Sequence, residues 1–156
     1  TTSAPRVPVS DRDADAPGSV PTESATTVIL DTNALMMPVE LDVRVFDELD
    51  RLVGDVDAVV PEAVVAELDK LADAGAGTEA TAAAVGRDLA DRCRVIGTEA
   101  AYADDAVVEL AADGDDPAGT DGYAVTNDRP LRDRLLDRGV RVIGLRGRTT
   151  LEITEP

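Results

Sequence analysis

The chain has 156 residues, 44% of them apolar, enough for one globular domain with its own core, and it carries a formal net charge of −17. It has no histidine and a single cysteine, Cys93, which excludes Ser-His-Asp and Cys-His catalysis, histidine-ligated zinc and any intramolecular disulfide. Chemistry must come from carboxylates, hydroxyls, amides, arginines or a bound metal.

Residues 1 to about 25 hold Pro5, Pro8, Pro17 and Pro21 among Ser, Thr and Asp, too little apolar surface to pack, and are expected to be a disordered tail. From Thr26 onward, short β-branched runs alternate with helical patterns. Strands are expected at 27–30, 57–60, 94–96, 123–126 and 140–145, and helices at about 41–53, 61–73, 78–92, 103–112 and 129–137. Five such alternations predict an α/β fold, a parallel sheet covered by helices on both faces. Gly54, Gly75, Gly77, Gly114 and Gly139 fall where helices should stop, and Pro61 and Pro130 fall where helices should start. No apolar run is long enough to span a membrane and no signal-peptide core is present, so a cytoplasmic protein without membrane partners is expected.

Four acidic positions stand out in chain order. Asp31 ends the apolar run Val28-Ile29-Leu30, at a strand's carboxyl edge, where open α/β sheets bind ligands; it also suits a helix N-cap. Glu67 falls at the edge of the buried stripe made by Val64, Val65, Leu68 and Leu71, so a half-buried carboxylate is expected there. Asp104 and Asp105 open the helix Ala106-Val107-Val108-Glu109-Leu110-Ala111, and helical phase puts Asp104 nearer the buried side. Asp128 follows Tyr123-Ala124-Val125-Thr126-Asn127 and precedes Arg129-Pro130, so it shares Asp31's description: a strand, a Thr/Asn pair, an acid. A carboxylate cluster without histidine suits a hard cation, Mg²⁺ or Mn²⁺, that lowers the pKa of water and stabilises a leaving oxygen. The acidic stretch 113–121 lacks the spacing and terminal Glu of a calcium-binding EF-hand loop and reads as a solvated loop. Cys93 reads as a small core residue.

Lys70 is the only lysine against fourteen arginines, and Asp outnumbers Glu by 22 to 10. Such surfaces resemble those of proteins from extreme halophiles, in which dense carboxylates keep the protein soluble in concentrated salt. In dilute buffer the same charges repel, so desalting is expected to loosen the fold and lower its melting temperature.

Leu30-Asp31-Thr32-Asn33, Val60-Pro61 through Glu67-Leu68, Tyr102-Ala103-Asp104-Asp105-Ala106 and Val125-Thr126-Asn127-Asp128 resemble, in order and spacing, the motifs of the PIN-domain ribonucleases. The resemblance covers about residues 26–153. The Asp-Thr-Asn-Ala-Leu-Met-Met-Pro string, the Tyr-Ala-Asp-Asp box and the stretch Val142 to Leu151 are most similar to the archaeal and eukaryotic branch that processes small-subunit ribosomal RNA. The resemblance implies a three-layer αβα sandwich with a five-stranded parallel sheet. It implies one or two Mg²⁺ or Mn²⁺ ions held by Asp31, Glu67, Asp105 and Asp128, with Asp104 an alternative ligand. It also implies supporting roles for Asn33 and Thr126. Some eukaryotic relatives carry zinc-binding cysteines, which this chain lacks.

The expected activity is metal-dependent endoribonuclease cleavage of a ribosomal RNA precursor. The alternatives are a non-catalytic scaffold in ribosome assembly and a toxin-type ribonuclease with an antitoxin partner; a homodimer is compatible with each. A charge of −17 opposes RNA at low salt, but the Debye length falls to about 3 Å at 1 M. Seven arginines fall within 129–148, and Arg129 and Arg132, just after Asp128, are expected to face the scissile phosphate. Arg134 and Arg138 are expected to pair with Asp133 and Asp137 on the same helix.

Overall fold

The computed structural model describes residues 26–112 and 123–156. The expected tail, 1–25, and the acidic stretch 113–121 lie outside the described residues. Thr26–Leu30 forms strand β1, in which Val28, Ile29 and Leu30 are all buried. Side chains alternate faces along a strand, so three consecutive buried residues require cover on both sides. Val59 and Val60 of β2 (Val56–Pro61) and Ala124 and Val125 of β4 (Tyr123–Val125) show the same burial. With β3 (Arg94–Ile96) and β5 (Arg141–Arg146) these strands run parallel, in the order β3-β2-β1-β4-β5.

A sixth strand, β6 (Thr150–Thr154), pairs antiparallel with β5, so the sheet has one strand more than the five expected. Gly147 takes a left-handed φ of 67° in the turn that makes this return possible. Thr150-Leu151-Glu152 alternates outward, inward, outward, with Leu151 buried, the period of a strand half-covered at a sheet edge.

The helices are α1 (Thr32–Glu40), α2 (Val45–Val53), α3 (Glu62–Ala74), α4 (Gly77–Ala90), α5 (Ala103–Ala112) and α6 (Arg129–Asp137). The single helix expected at 41–53 is corrected: the segment after β1 forms two. Pro38 lacks an amide hydrogen and reads as a helix breaker, yet it lies inside α1, whose Ala34, Leu35, Met36 and Met37 are all buried. Packing of that face outweighs the lost hydrogen bond. The chain breaks instead at Asp42, with φ at 58°, before restarting at Val45.

Helix α4 packs against both α1 and α3. Its inner face is Ala82, Ala83, Gly86 and Ala90. A Cβ on Gly86 would stand 2.9 Å from the Leu35 carbonyl oxygen and 3.1 Å from a Leu68 methyl, so glycine is what lets the three helices close. This packing fixes α1 and α3 relative to each other. Helix α5 packs over β1, β2 and β4, and α6 against α5 and β5. Cys93 donates weakly to the Leu89 carbonyl (3.6 Å), and burial pushes its thiol up to about 12, which leaves it an inert packing residue. No helix among the described residues is long and apolar enough to cross a membrane.

Candidate active site

In the strand order, β1 lies between β2 on one side and β4 on the other, so the connections leaving β1 and β4 diverge and open a crevice above the carboxyl ends. Leu30 is in register with Val125, which sets the next residues, Asp31 and Thr126, side by side at that edge. The crevice is a cleft of about 250 Å³ lined by Asp31, Asn33, Glu67, Asp104 and Asp128, among others. Glu40 and Glu79 also line it, and among the described residues no lysine or arginine does.

Asp31 is the buried member, 4% exposed. It caps α1, where Oδ1 accepts from the Ala34 amide at 2.7 Å, and Oδ2 accepts from the Thr126 hydroxyl at 2.5 Å. Burial pushes its carboxyl up to about 7; the Thr126 and Ala34 hydrogen bonds pull against that, and the Asp128 and Glu67 carboxylates add to it. Thr126, itself fully buried, also accepts from the Asp128 amide at 3.0 Å, so a single hydroxyl ties together the ends of two strands. Asp128 caps α6 through the Leu131 amide (3.2 Å) and is exposed. Asn33 Oδ1 accepts from the Asn127 amide at 3.2 Å, a second tie between the β1 and β4 ends.

Glu67 accepts from the Thr32 hydroxyl at 3.3 Å. It is exposed rather than half-buried as its helical phase suggested, because it stands on the wall of the open cleft. Asp104 lines the cleft and Asp105 does not; Asp105 is drawn to Arg134, whose Nη2 donates to it at 2.9 Å. Arg134 also stands 3.7 Å from Asp104, so the expected pairing with Asp133 or Asp137 on its own helix gives way to a contact across to α5.

Arg129 and Arg132 do not face the acids. Asp128 and Leu131, three residues apart, share the helix face on the acidic cleft; Arg129 and Arg132, also three apart, are turned to another face. They line a second cleft of about 220 Å³ with Thr126, Asn127, Gly144, Leu145, Glu152 and Thr154.

Glu40 and Glu79 escaped the reading of the sequence. Glu40 is the last residue of α1, a helix hidden by Pro38, and Glu79 is a first-turn acid of α4 whose local pattern is that of any helix start.

The donor set suits a hard divalent cation: several carboxylates, a hydroxyl and an amide around one cleft, with a buried carboxyl that lacks a compensating charge. Among the described residues no three acids form a ready-made ligand cage, so exposed carboxylates would have to turn toward an ion.

No curated protein matches the chain. The fold is similar to that of the PIN domain endonuclease Utp24, with a TM-score of 0.66 and 20% identity over 85% of this chain and 94% of that one. It is similar to a domain of a functionally unknown protein from Methanocaldococcus jannaschii, with a TM-score of 0.54 and 20% identity over 79% and 93%. A third likeness is to VapBC2 from Rickettsia felis, bound to a DNA fragment from its promoter: TM-score 0.53, 12% identity, 76% and 98% covered. A family model for the PIN-like domain matches residues 28–148, which include all four acidic motifs. The chain belongs to the PIN-like domain family.

Proposed function

We propose that the chain is a divalent-metal-dependent endoribonuclease that hydrolyses RNA phosphodiester bonds, with a ribosomal RNA precursor as substrate. The observation that carries this reading is the acidic cleft at the β1–β4 crevice, where Asp31 and Asp128 converge with Glu67 and Asp104 and, among the described residues, no basic side chain intervenes. The ribosomal assignment is supported by the motif strings around Asp31 and Asp104, and the salt-adapted character by the composition.

Asp31, Glu67, Asp104 and Asp128 would hold Mg²⁺ or Mn²⁺. When bound, such an ion supplies Lewis acidity toward water and the leaving oxygen of a phosphodiester. The residues themselves do the positioning. Thr126 fixes one oxygen of Asp31 and the Ala34 amide fixes the other, so this carboxylate cannot turn away. Asn33 braces the Asn127 backbone and with it the approach to Asp128. Hydrolysis is expected to leave a 5′-phosphate and a 3′-hydroxyl.

The test is cleavage of a labelled single-stranded RNA with Mn²⁺ by the full chain and by Asp31→Asn. Loss of at least about 10²-fold is expected, as for removal of a key electrostatic group; cleavage at the wild-type rate would remove Asp31 from the mechanism. Asp104→Asn is expected to lose far more activity than Asp105→Asn, which touches Arg134 rather than the cleft. Calorimetric titration with Mn²⁺ separates the enzyme from a scaffold, which would show no binding that depends on these acids.

A further inference from the structure

Two clefts flank the end of β4, and they differ in charge. The acidic cleft has no basic lining residue among the described residues. The second has two guanidinium groups, Arg129 and Arg132, against one carboxylate, Glu152. Arg132 Nε is buried and donates to no acceptor among the described residues. Asp133 Oδ1 stands 3.8 Å away, within ion-pair range but too far for a hydrogen bond. A buried donor left unmade is costly, and an incoming acceptor would satisfy it. The Arg132 side chain is 39% exposed overall, so a ligand reaches its accessible part directly and Nε once the side chain shifts. No ion pair or hydrogen bond of the Arg129 side chain is found among the described residues.

The floor of this cleft is bare for a reason visible in β5. Gly144 has no side chain to fill it, and a Cβ there would stand 3.2 Å from the Thr126 carbonyl oxygen. The wall between the clefts is the backbone of Thr126, Asn127 and Asp128, two peptide units and so at most about 7.6 Å of chain. Thr126 lines the second cleft while its hydroxyl holds Asp31 of the first. A strand lying over that wall would carry one phosphate toward the carboxylates and its neighbour toward the arginines.

We propose that the Arg129–Arg132 cleft holds a backbone phosphate of the same RNA strand that enters the acidic cleft, next to the scissile phosphate. This rests on the nuclease reading above. The guanidinium fork suits a phosphodiester, which presents two acceptor oxygens in one plane with it. The arrangement also answers how so acidic a protein attracts RNA: attraction comes from one side of the wall, reaction from the other.

The experiment measures affinity directly, by fluorescence anisotropy of a labelled single-stranded RNA with the Asp31→Asn full chain across a KCl series. Arg132→Ala and Arg129→Ala are added separately, with melting temperatures checked. Each is expected to weaken binding about fivefold or more and to reduce the slope of log K against log salt by about 0.7. Arg132→Lys, which keeps charge but loses the fork, is expected to recover the slope but only part of the affinity. In the active chain the same changes should raise KM much more than they lower kcat. Unchanged affinity in both alanine variants overturns the proposal, as does an absence of RNA binding in the parent. Equal affinity for a free nucleoside monophosphate also overturns it, since the cleft would then be a mononucleotide pocket. If Mn²⁺ yields no cleavage but Arg132→Ala weakens RNA binding, the nuclease reading fails and the phosphate site stands; cleavage with unaltered affinity gives the opposite result.

Discussion

Asp31 and Asp128 have the same local grammar and different chemistry. Each ends a parallel strand, follows or precedes a Thr/Asn pair, and caps the helix that comes next. Yet Asp31 is 4% exposed, with its carboxyl pushed up to about 7, whereas Asp128 is open to the cleft and solvent. The difference comes from what covers them. Asp31 follows β1 and starts α1, which packs against α4 and buries Ala34 and Leu35 directly behind the acid. Asp128 follows the neighbouring strand and starts α6, whose first residues, Arg129 and Pro130, are exposed ahead of the buried Leu131. The helices packed over each site, rather than the residues beside each acid, decide which carboxylate is held unsolvated and which is free to move toward a cation.

The largest test of this contrast is stability against pH in a chelator at fixed salt. A carboxyl at about 7 in the fold and 3.8 when unfolded means that the native state binds the proton more tightly. Stability therefore falls as pH rises from about 4 to about 7 and stays low above that. The rise corresponds to at most about 4 kcal/mol. Asp31→Asn removes the charge and keeps an acceptor for the Ala34 amide, so it should gain on the order of 2–4 kcal/mol at pH 8 and nothing at pH 4. Urea unfolding at both values checks this; an equal gain at both would show that burial of charge is not the cause. The variant expected to lose cleavage is thus the one expected to be most stable, as when function requires a buried charge.

How far the sequence carried this is clearest at the same two positions. The strand-end placement of Asp31 and Asp128 was readable because short β-branched runs end abruptly at an acid. Parallel strands and α3–α6 followed from periodicity. What was not readable is three-dimensional: α1 was masked by Pro38, whose local cost is offset by burial of the helix's own Ala34, Leu35, Met36 and Met37 against elements distant in sequence. The β6 strand was written as Thr150-Leu151-Glu152 alternation but is too short to stand out without its partner β5. The exposure of Glu67 and the turning of Arg129 and Arg132 into a separate cleft depend on how the helices and strands leave clefts between them, which no local window contains.

The next effect in size should come from Gly86, which acts on the Asp31 side alone. Gly86→Val forces a branched side chain against the Leu35 carbonyl oxygen, a backbone atom that cannot rotate aside. A cost of about 2–3 kcal/mol is expected from overpacking. Because the strain falls on α1, hydrogen exchange should quicken at the Ala34 amide more than at the Leu131 amide. Equal loss of protection at both would mean the two caps share one cooperative unit.

Thr126→Val strikes the link between the two acids. It keeps shape and removes the hydroxyl that donates to Asp31 and accepts from the Asp128 amide, at an expected cost of about 1–2 kcal/mol. The Thr126 bond lowers the Asp31 value, so its loss should move that carboxyl further above about 7. Carbon-detected NMR of the Asp31 carboxyl follows it directly, and Thr126→Ser should restore the parent titration. A titration that stays in place would assign the stabilisation of Asp31 to the Ala34 amide alone.

Asp128→Asn should do least to the fold. Its structural contribution is the cap on α6, where the Leu131 amide donates to Oδ1 at 3.2 Å. Asparagine caps a helix about as well as aspartate, so a change within about 0.5 kcal/mol is expected at both pH 4 and pH 8. The backbone amide of residue 128 still reaches the Thr126 hydroxyl, since that contact does not involve the side chain. Removing one carboxylate from the cleft also removes one cause of the raised Asp31 value, which should drop measurably. A stability change as large as that of Asp31→Asn would mean that the two acids are not distinguished by burial. An unmoved Asp31 would mean that burial alone sets its proton affinity and that the acids across the cleft act on it only through a shared ion.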